Sequence, residues 1–137
     1  MTSAANAEAE PAVTVTGIDH IVLLVADVER SLSFYVETLG LAPVRVDAFR
    51  RGEVFFPSVR VDATTIIDLF PGAPDGKNVD HFCLVVEPVD LVALAGSGRL
   101  DVVSGPSDLF GAQGQGLGLY VRDPDGHIVE LRHYGGT

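Results

Sequence analysis

Asp19-His20-Ile21-Val22-Leu23 recurs 61 positions later as Asp80-His81-Phe82-Cys83-Leu84, and Val25 is answered by Val86 at the same offset. The correspondence reaches the far end of each half, where Ile67-Asp68-Leu69 matches Val129-Glu130-Leu131 at an offset of 62. Self-similarity over a fixed period indicates one structural module used twice. Around the first copy, Ile18 to Val25 is β-branched and apolar on both faces, as a strand covered from two sides requires. Asp27 offers a helix N-cap, Val28, Leu32, Tyr35, Val36 and Leu39 recur at helical spacing, and Gly40 supplies a stop, so an amphipathic helix is expected over Val28 to Leu39. Strands are expected at about Val44 to Phe49, Glu53 to Val61 and Thr64 to Phe70, before a Pro/Gly-rich connector from Pro71 to Asn78. The first half therefore reads βαβββ.

The second half follows the same plan. A strand from Asp80 leads to a short helix at Val89 to Ala95, ended by Gly96-Ser97-Gly98. Strands are then expected at Leu100 to Ser104 and Leu117 to Arg122, with Gly105 to Gly116 as a loop, serving as lid or connector. The stretch Gly111-Ala112-Gln113-Gly114-Gln115-Gly116 lacks the Gly-Lys-Ser/Thr ending of a phosphate cradle. Asp123-Pro124-Asp125-Gly126 has tight-turn chemistry, and Ile128 to Tyr134 closes the chain. The expected organisation is an α+β fold in a single domain, residues 16–137. Its two βαβββ modules span about 17–70 and 79–134, behind a mobile tail at 1–15 that is rich in Ala, Ser, Thr, Asn and Glu.

Composition bounds the partners. The 137 residues, 47% hydrophobic, suffice for one core. Nine Lys and Arg against 19 Asp and Glu give a net charge of −10, which repels nucleic acid and anionic membranes at long range, so neither is an expected partner. A lone cysteine, Cys83, excludes an internal disulfide and a thiolate zinc cluster and fits a reducing compartment, the cytoplasm. The apolar runs fall short of the roughly 18 residues a membrane span needs.

Each half contributes a histidine near its beginning and a carboxylate near its end: His20 with Asp68, and His81 with Glu130, at spacings of 48 and 49. A lone histidine in an apolar strand is usually a hydrogen-bonded core residue. Two at matched repeat positions, each joined to a carboxylate in an apolar strand, point instead to a ligand set, since unpaired buried carboxylates are costly. If two-fold pseudo-symmetry brings equivalent strands together, the four residues converge. Two imidazoles and two carboxylates suit one divalent ion, Zn, Ni, Co, Mn or Fe(II). Asp68 could alternatively lie at a solvent-facing edge, leaving a facial triad of His20, His81 and Glu130. Cys83, two residues from His81, is read as a small core residue or a pocket liner, and His127 and His133 as surface residues. Phe49, Phe55 and Phe56 are candidates for an apolar substrate wall or for core packing.

Gly17-Ile18-Asp19-His20-Ile21-Val22-Leu23, followed by Ser31-Leu32-Ser33-Phe34-Tyr35 and Leu39-Gly40-Leu41, resembles the vicinal oxygen chelate superfamily, as does the closing Arg122-Asp123-Pro124-Asp125-Gly126-His127-Ile128-Val129-Glu130-Leu131. That superfamily includes glyoxalases, bleomycin-resistance proteins and extradiol dioxygenases, and the closing segment is similar to its small glyoxalase-like members. The resemblance implies curved mixed sheets enclosing a central cavity, with His20, Asp68, His81 and Glu130 at the family's metal-ligand positions. It implies a glyoxalase-like isomerase or lyase that transfers a proton α to a carbonyl of a small oxygenated substrate, with Glu130 or Asp68 alternating between ligand and general base. An Fe(II) extradiol-type dioxygenase and a metal-free small-molecule or antibiotic-binding protein are the alternatives it leaves open. It further implies a homodimer.

Overall fold

The computed structural model describes residues 10–124 and 126–135; residues 1–9 of the tail expected at 1–15, and Asp125 within the expected turn, lie outside the described residues. Strand β1 (Val15–Val25) leads to α1 (Val28–Leu32), which is extended by a π-helical turn over Ser33–Thr38. Then come β2 (Ala42–Val44), α2 (Val46–Arg50), β3 (Ser58–Asp62) and β4 (Thr65–Pro71). The second module comprises β5 (Val79–Val86), α3 (Leu91–Ala95), β6 (Asp101–Gly111), β7 (Gly114–Arg122) and β8 (Ile128–His133). All the strands join one mixed sheet in the order β2-β3-β4-β1-β5-β8-β7-β6. The order is the same read outward from the centre in either direction, so the two modules meet back to back at the antiparallel β1/β5 pair.

Helix caps and core follow from local chemistry. The Asp27 carboxylate accepts from the Arg30 amide and the Asp90 carboxylate from the Ala93 amide, satisfying otherwise orphaned donors at the starts of α1 and α3. Val28 and Leu32 of α1 cover Val59 and Leu69, while Leu91 and Leu94 of α3 cover Val86, Leu119, Val121 and Leu131. Each module thus buries its own apolar cluster beneath its own helix. In β4 and β8, Asp68 is flanked by Ile67 and Leu69 and Glu130 by Val129 and Leu131. Because strand side chains alternate, the flanking residues fill the clusters and the carboxylates face the other side of the sheet.

Several local expectations are corrected. The strand expected over Val44 to Phe49 ends at Val44, because Arg45 takes a left-handed backbone (φ 60°, ψ 23°) and α2 starts behind it; Val46 and Phe49, one helical turn apart, both pack on the first cluster. The strand expected from Glu53 begins only at Ser58. The Gly-rich stretch expected as a loop is the hairpin β6/β7, paired from Asp101↔Arg122 to Gly111↔Gly114. Its glycines are there for close approach: a Cβ on Gly111 would stand 2.4 Å from Arg132 Nη1, and one on Gly118 2.9 Å from Glu130 Oε2. The π-helical turn carries Leu39, expected on the buried face, out to 54% exposure. Within the stretch expected as a tail, Ala12 and Val13 pack against the second cluster and the Thr14 carbonyl accepts from the Glu87 amide.

Candidate metal centre

The pseudo-axis of the sheet carries the histidines. His20 on β1 pairs with Cys83 on β5, and His81 on β5 with Val22 on β1, so the repeat places the two imidazoles across one strand pair, ring centroids 5.4 Å apart. Glu130 arrives on β8 beside β5, in register with Cys83, and Asp68 on β4 beside β1, in register with Val22. All four site residues predicted from the repeat are buried and line one cavity of about 130 Å³. His20 Nε2 lies 3.2 Å and His81 Nε2 3.3 Å from Glu130 Oε1, and these donors all stand within 4.8 Å of one another. Asp68 Oδ2 is farther out, 3.8 Å from His20 Nε2, and stands outside that close group.

The aspartate before each histidine orients it. Asp19 Oδ2 contacts His20 Nδ1 at 2.7 Å and Asp80 Oδ2 contacts His81 Nδ1 at 2.8 Å. Neighbours on a regular strand point to opposite faces, so this contact needs an irregularity. The β1/β5 register supplies one at each position: Ile18 and His20 face the consecutive Leu84 and Cys83, leaving Asp19 as the extra residue, and Val22 and Leu23 face His81 and Val79, leaving Asp80 extra. With Nδ1 engaged by a carboxylate, each imidazole turns Nε2 toward Glu130. Asp19 is itself held by the Ala112 amide at 2.9 Å and the Tyr134 hydroxyl at 2.5 Å.

The carboxylates are held unequally. Glu130 Oε2 accepts from Arg132 Nε at 2.9 Å and Nη2 at 2.6 Å, and the remaining Arg132 donors reach the carbonyls of Leu109 and Phe110. Burial works to raise the Glu130 pKa, but the closeness of His20 and His81 and the Arg132 charge outweigh it and hold the carboxyl well below its usual range. Asp68 is the reverse case: burial raises its pKa, only partly offset by the His20 charge and by the Ser58 hydroxyl, which donates to Oδ1 at 2.5 Å. For His20, burial works to lower the pKa, while its bonds to Asp19, Cys83 and Glu130 lift it to about 12. Burial, with the Glu130 charge beside it, also pushes the Tyr120 phenol up.

These residues suit a divalent ion. His81 Nε2 is fully buried, and despite its 3.3 Å approach to Glu130 it makes no hydrogen bond. A buried nitrogen left unsatisfied is costly unless something else takes its lone pair. Two nitrogens and a carboxylate oxygen converging from both modules, each backed by an outer partner, meet the requirements of a facial site.

Other expectations sort out plainly. Cys83 is fully buried beside His20 and does not line the cavity; burial lifts its thiol to about 11, so it is an inert core residue. His127 is on the surface as expected, but His133 is not: it is 3% exposed, on the face of β8 opposite Arg132. Of the aromatic candidates, Phe56 lines the cavity together with Phe70, Phe49 packs in the core, and Phe55 is 63% exposed. Sequence reasoning passed over Asp19, Asp80, Ser58, Arg132 and Arg45. The Asp-His pairs were visible in the repeat, and Glu130 and Arg132 two apart on an apolar strand were a legible same-face pair. Nothing local marked Ser58 or Arg45.

A family model described as the Glyoxalase/Bleomycin resistance protein/Dioxygenase superfamily matches residues 17–131. The chain is 30% identical over 120 residues to the virulence protein STM3117 of Salmonella typhimurium, covering 85% of this chain and 83% of that protein. Among solved structures, it superimposes on the Streptomyces coelicolor methylmalonyl-CoA epimerase with a TM-score of 0.65 at 20% identity, covering 90% of this chain and 100% of the other. It also superimposes on the Mn(II)-bound glyoxalase of Novosphingobium aromaticivorans, with a TM-score of 0.61 at 22% identity over 88% of this chain and 40% of that one. Among the described residues no helix is long and apolar enough to cross a membrane.

Proposed function

Since the chain belongs to the glyoxalase/bleomycin resistance protein/dioxygenase superfamily, we propose that it is a divalent-metal-dependent enzyme of glyoxalase type, an isomerase or lyase that moves a proton α to a carbonyl of a small oxygenated substrate. The observation that carries this reading is the convergence of His20 Nε2, His81 Nε2 and Glu130 Oε1 from the two modules, with His81 Nε2 buried and without a hydrogen bond. A Zn, Ni, Co, Mn or Fe(II) ion held by these three, with Asp68 alternating between fourth ligand and general base, would act as a Lewis acid toward the carbonyl oxygen.

The protein's own groups divide the remaining work. Glu130, locked to Arg132 and held anionic, is an anchor. Asp68 is the proton acceptor: its raised pKa brings it nearer to the range a general base needs, Ser58 fixes Oδ1, and Oδ2 remains to take the proton. Tyr120, kept neutral, lines the same cavity, and its hydroxyl, hydrogen-bonded to Glu130, helps to hold that carboxylate in place. Phe56 and Phe70 form an apolar wall that limits water. The small cavity suits a substrate below drug size.

A homodimer accompanies this reading, because the eleven-residue β6 forms one end of the sheet with an edge that no strand among the described residues pairs, and proteins commonly cover such edges. A monomeric mass by sedimentation at micromolar concentration would refute the dimer. A cytoplasmic location accords with the single thiol.

Elemental analysis of protein purified without a chelating tag, beside His20→Ala, His81→Ala and Glu130→Ala, tests the metal. One equivalent of ion, lost in the variants, is expected; absence of metal with no uptake on addition would leave a metal-free binding protein. Zn, Ni, Co or Mn supports proton transfer, whereas iron with oxygen uptake on a catechol would shift the reaction to a dioxygenase.

A further inference from the structure

Arg45 and Arg132 are two arginines near the same cavity, held in opposite ways. Every nitrogen of Arg132 is engaged, by Glu130 and by the Leu109 and Phe110 carbonyls. Arg45 makes one hydrogen bond, from Nη2 to the Phe56 carbonyl at 3.3 Å, and its Nε is buried with no partner. Its guanidinium carbon lies 3.8 Å from the centroid of the Phe110 ring and 4.6 Å from that of Phe56. Among the described residues it is the one non-glycine with positive φ. It lines the cavity that His20, His81, Glu130 and Asp68 also line.

A purely structural arginine would resemble Arg132, because a buried guanidinium is tolerated when its donors are satisfied. Arg45 instead keeps donors in hand, while two aromatic faces and a strained backbone hold the charge in place. Asp68 is an opposite charge on the same wall and interacts with Arg45 electrostatically, yet no ion pair within 4.0 Å forms between them. Glu130 is already neutralised by Arg132. Arg45 thus brings to the cavity wall a cation that no carboxylate pairs within 4.0 Å among the described residues.

We propose that Arg45 is the substrate's anion-binding residue, and that the substrate is a small organic acid whose carboxylate meets the Arg45 guanidinium while its carbonyl faces the histidines. The inference deepens the reading given under Proposed function and rests on that cavity being the substrate site. Planar guanidinium recognises carboxylate through paired donors, which an ammonium does not reproduce.

Isothermal titration of the purified protein with pyruvate and with its neutral isostere pyruvamide is the test, with metal content measured on the same samples. Wild type is expected to prefer pyruvate at least tenfold, and Arg45→Asn, which tolerates the left-handed backbone, to lose most of that preference without losing metal. In ¹⁵N-labelled wild type, where folding of a variant is not in question, the Arg45 Nε–H resonance is expected to shift with pyruvate and not with pyruvamide. An unchanged preference in Arg45→Asn, no preference in wild type, or an Nε–H signal indifferent to pyruvate overturns the proposal. An Arg45-dependent preference in protein that holds no metal would keep this proposal and sink the metal reading; metal bound without such a preference does the reverse.

Discussion

At the residue scale, the histidines depend on the aspartates beside them. Asp19→Asn and Asp80→Asn keep the side-chain volume but weaken the hold on each Nδ1, and each is expected to lower metal affinity roughly 10- to 100-fold with the fold intact, measured by titration with Co(II) or Zn(II). Glu130→Gln has a different signature. It leaves the fully buried Arg132 without its counter-charge, so the expected loss is of metal and also of about 3–5 kcal/mol of stability, read by denaturant unfolding of the metal-free protein. Asp68→Asn should separate the two roles, retaining metal on the other three residues while abolishing solvent exchange of a substrate α-proton followed by NMR.

Elements place these residues through close approach rather than through propensity. Strand β7 passes over Glu130 and Arg132 at glycines, and a Cβ on Gly118 would meet both Glu130 Oε2 at 2.9 Å and Leu109 Cδ1 at 3.0 Å. Gly118→Ala is therefore expected to displace the Glu130 carboxylate and cut metal affinity, while far-ultraviolet circular dichroism stays native. Retained affinity would show that β7 can yield. The same glycines explain why the segment reads as a loop from composition: their reason lies in an arginine on the neighbouring strand. Conversely, the N-caps at Asp27 and Asp90 were legible, because an N-cap is settled by residues within one turn of it.

For the whole molecule, proton and metal compete at His20. Its pKa is raised from 6.5 to about 12, so near neutrality the metal-free protein carries a proton there that the ion must displace. Metal affinity is therefore expected to rise with pH between 6 and 8, by up to about tenfold per unit, in buffered titrations. Stability of the metal-free protein runs the other way. A histidine pKa raised by folding contributes stability that is fully present below about 6.5 and is lost as pH rises toward about 12. Glu130, ionised in both folded and unfolded states across this range, adds no slope. A metal-free melting temperature that climbs from pH 7 to pH 9 would contradict the pairing of His20 with Asp19 and Glu130.

The sequence by itself determined the doubled module, the order of most strands, and the identity of His20, Asp68, His81 and Glu130 as one constellation. A repeat is a statement about symmetry, and symmetry about the β1/β5 pair brings equivalent positions together wherever the loops go. Only the tertiary structure decided that Asp68 stands back from the other three and that Asp19 and Asp80 bulge to reach their histidines. It alone placed Arg132 beneath Glu130 and turned Arg45 out of the expected strand. Each of those outcomes depends on a neighbour distant in sequence, Ser58 for Asp68, Tyr134 and Ala112 for Asp19, Phe56 and Phe110 for Arg45, and no local pattern encodes a partner that folding alone brings within reach.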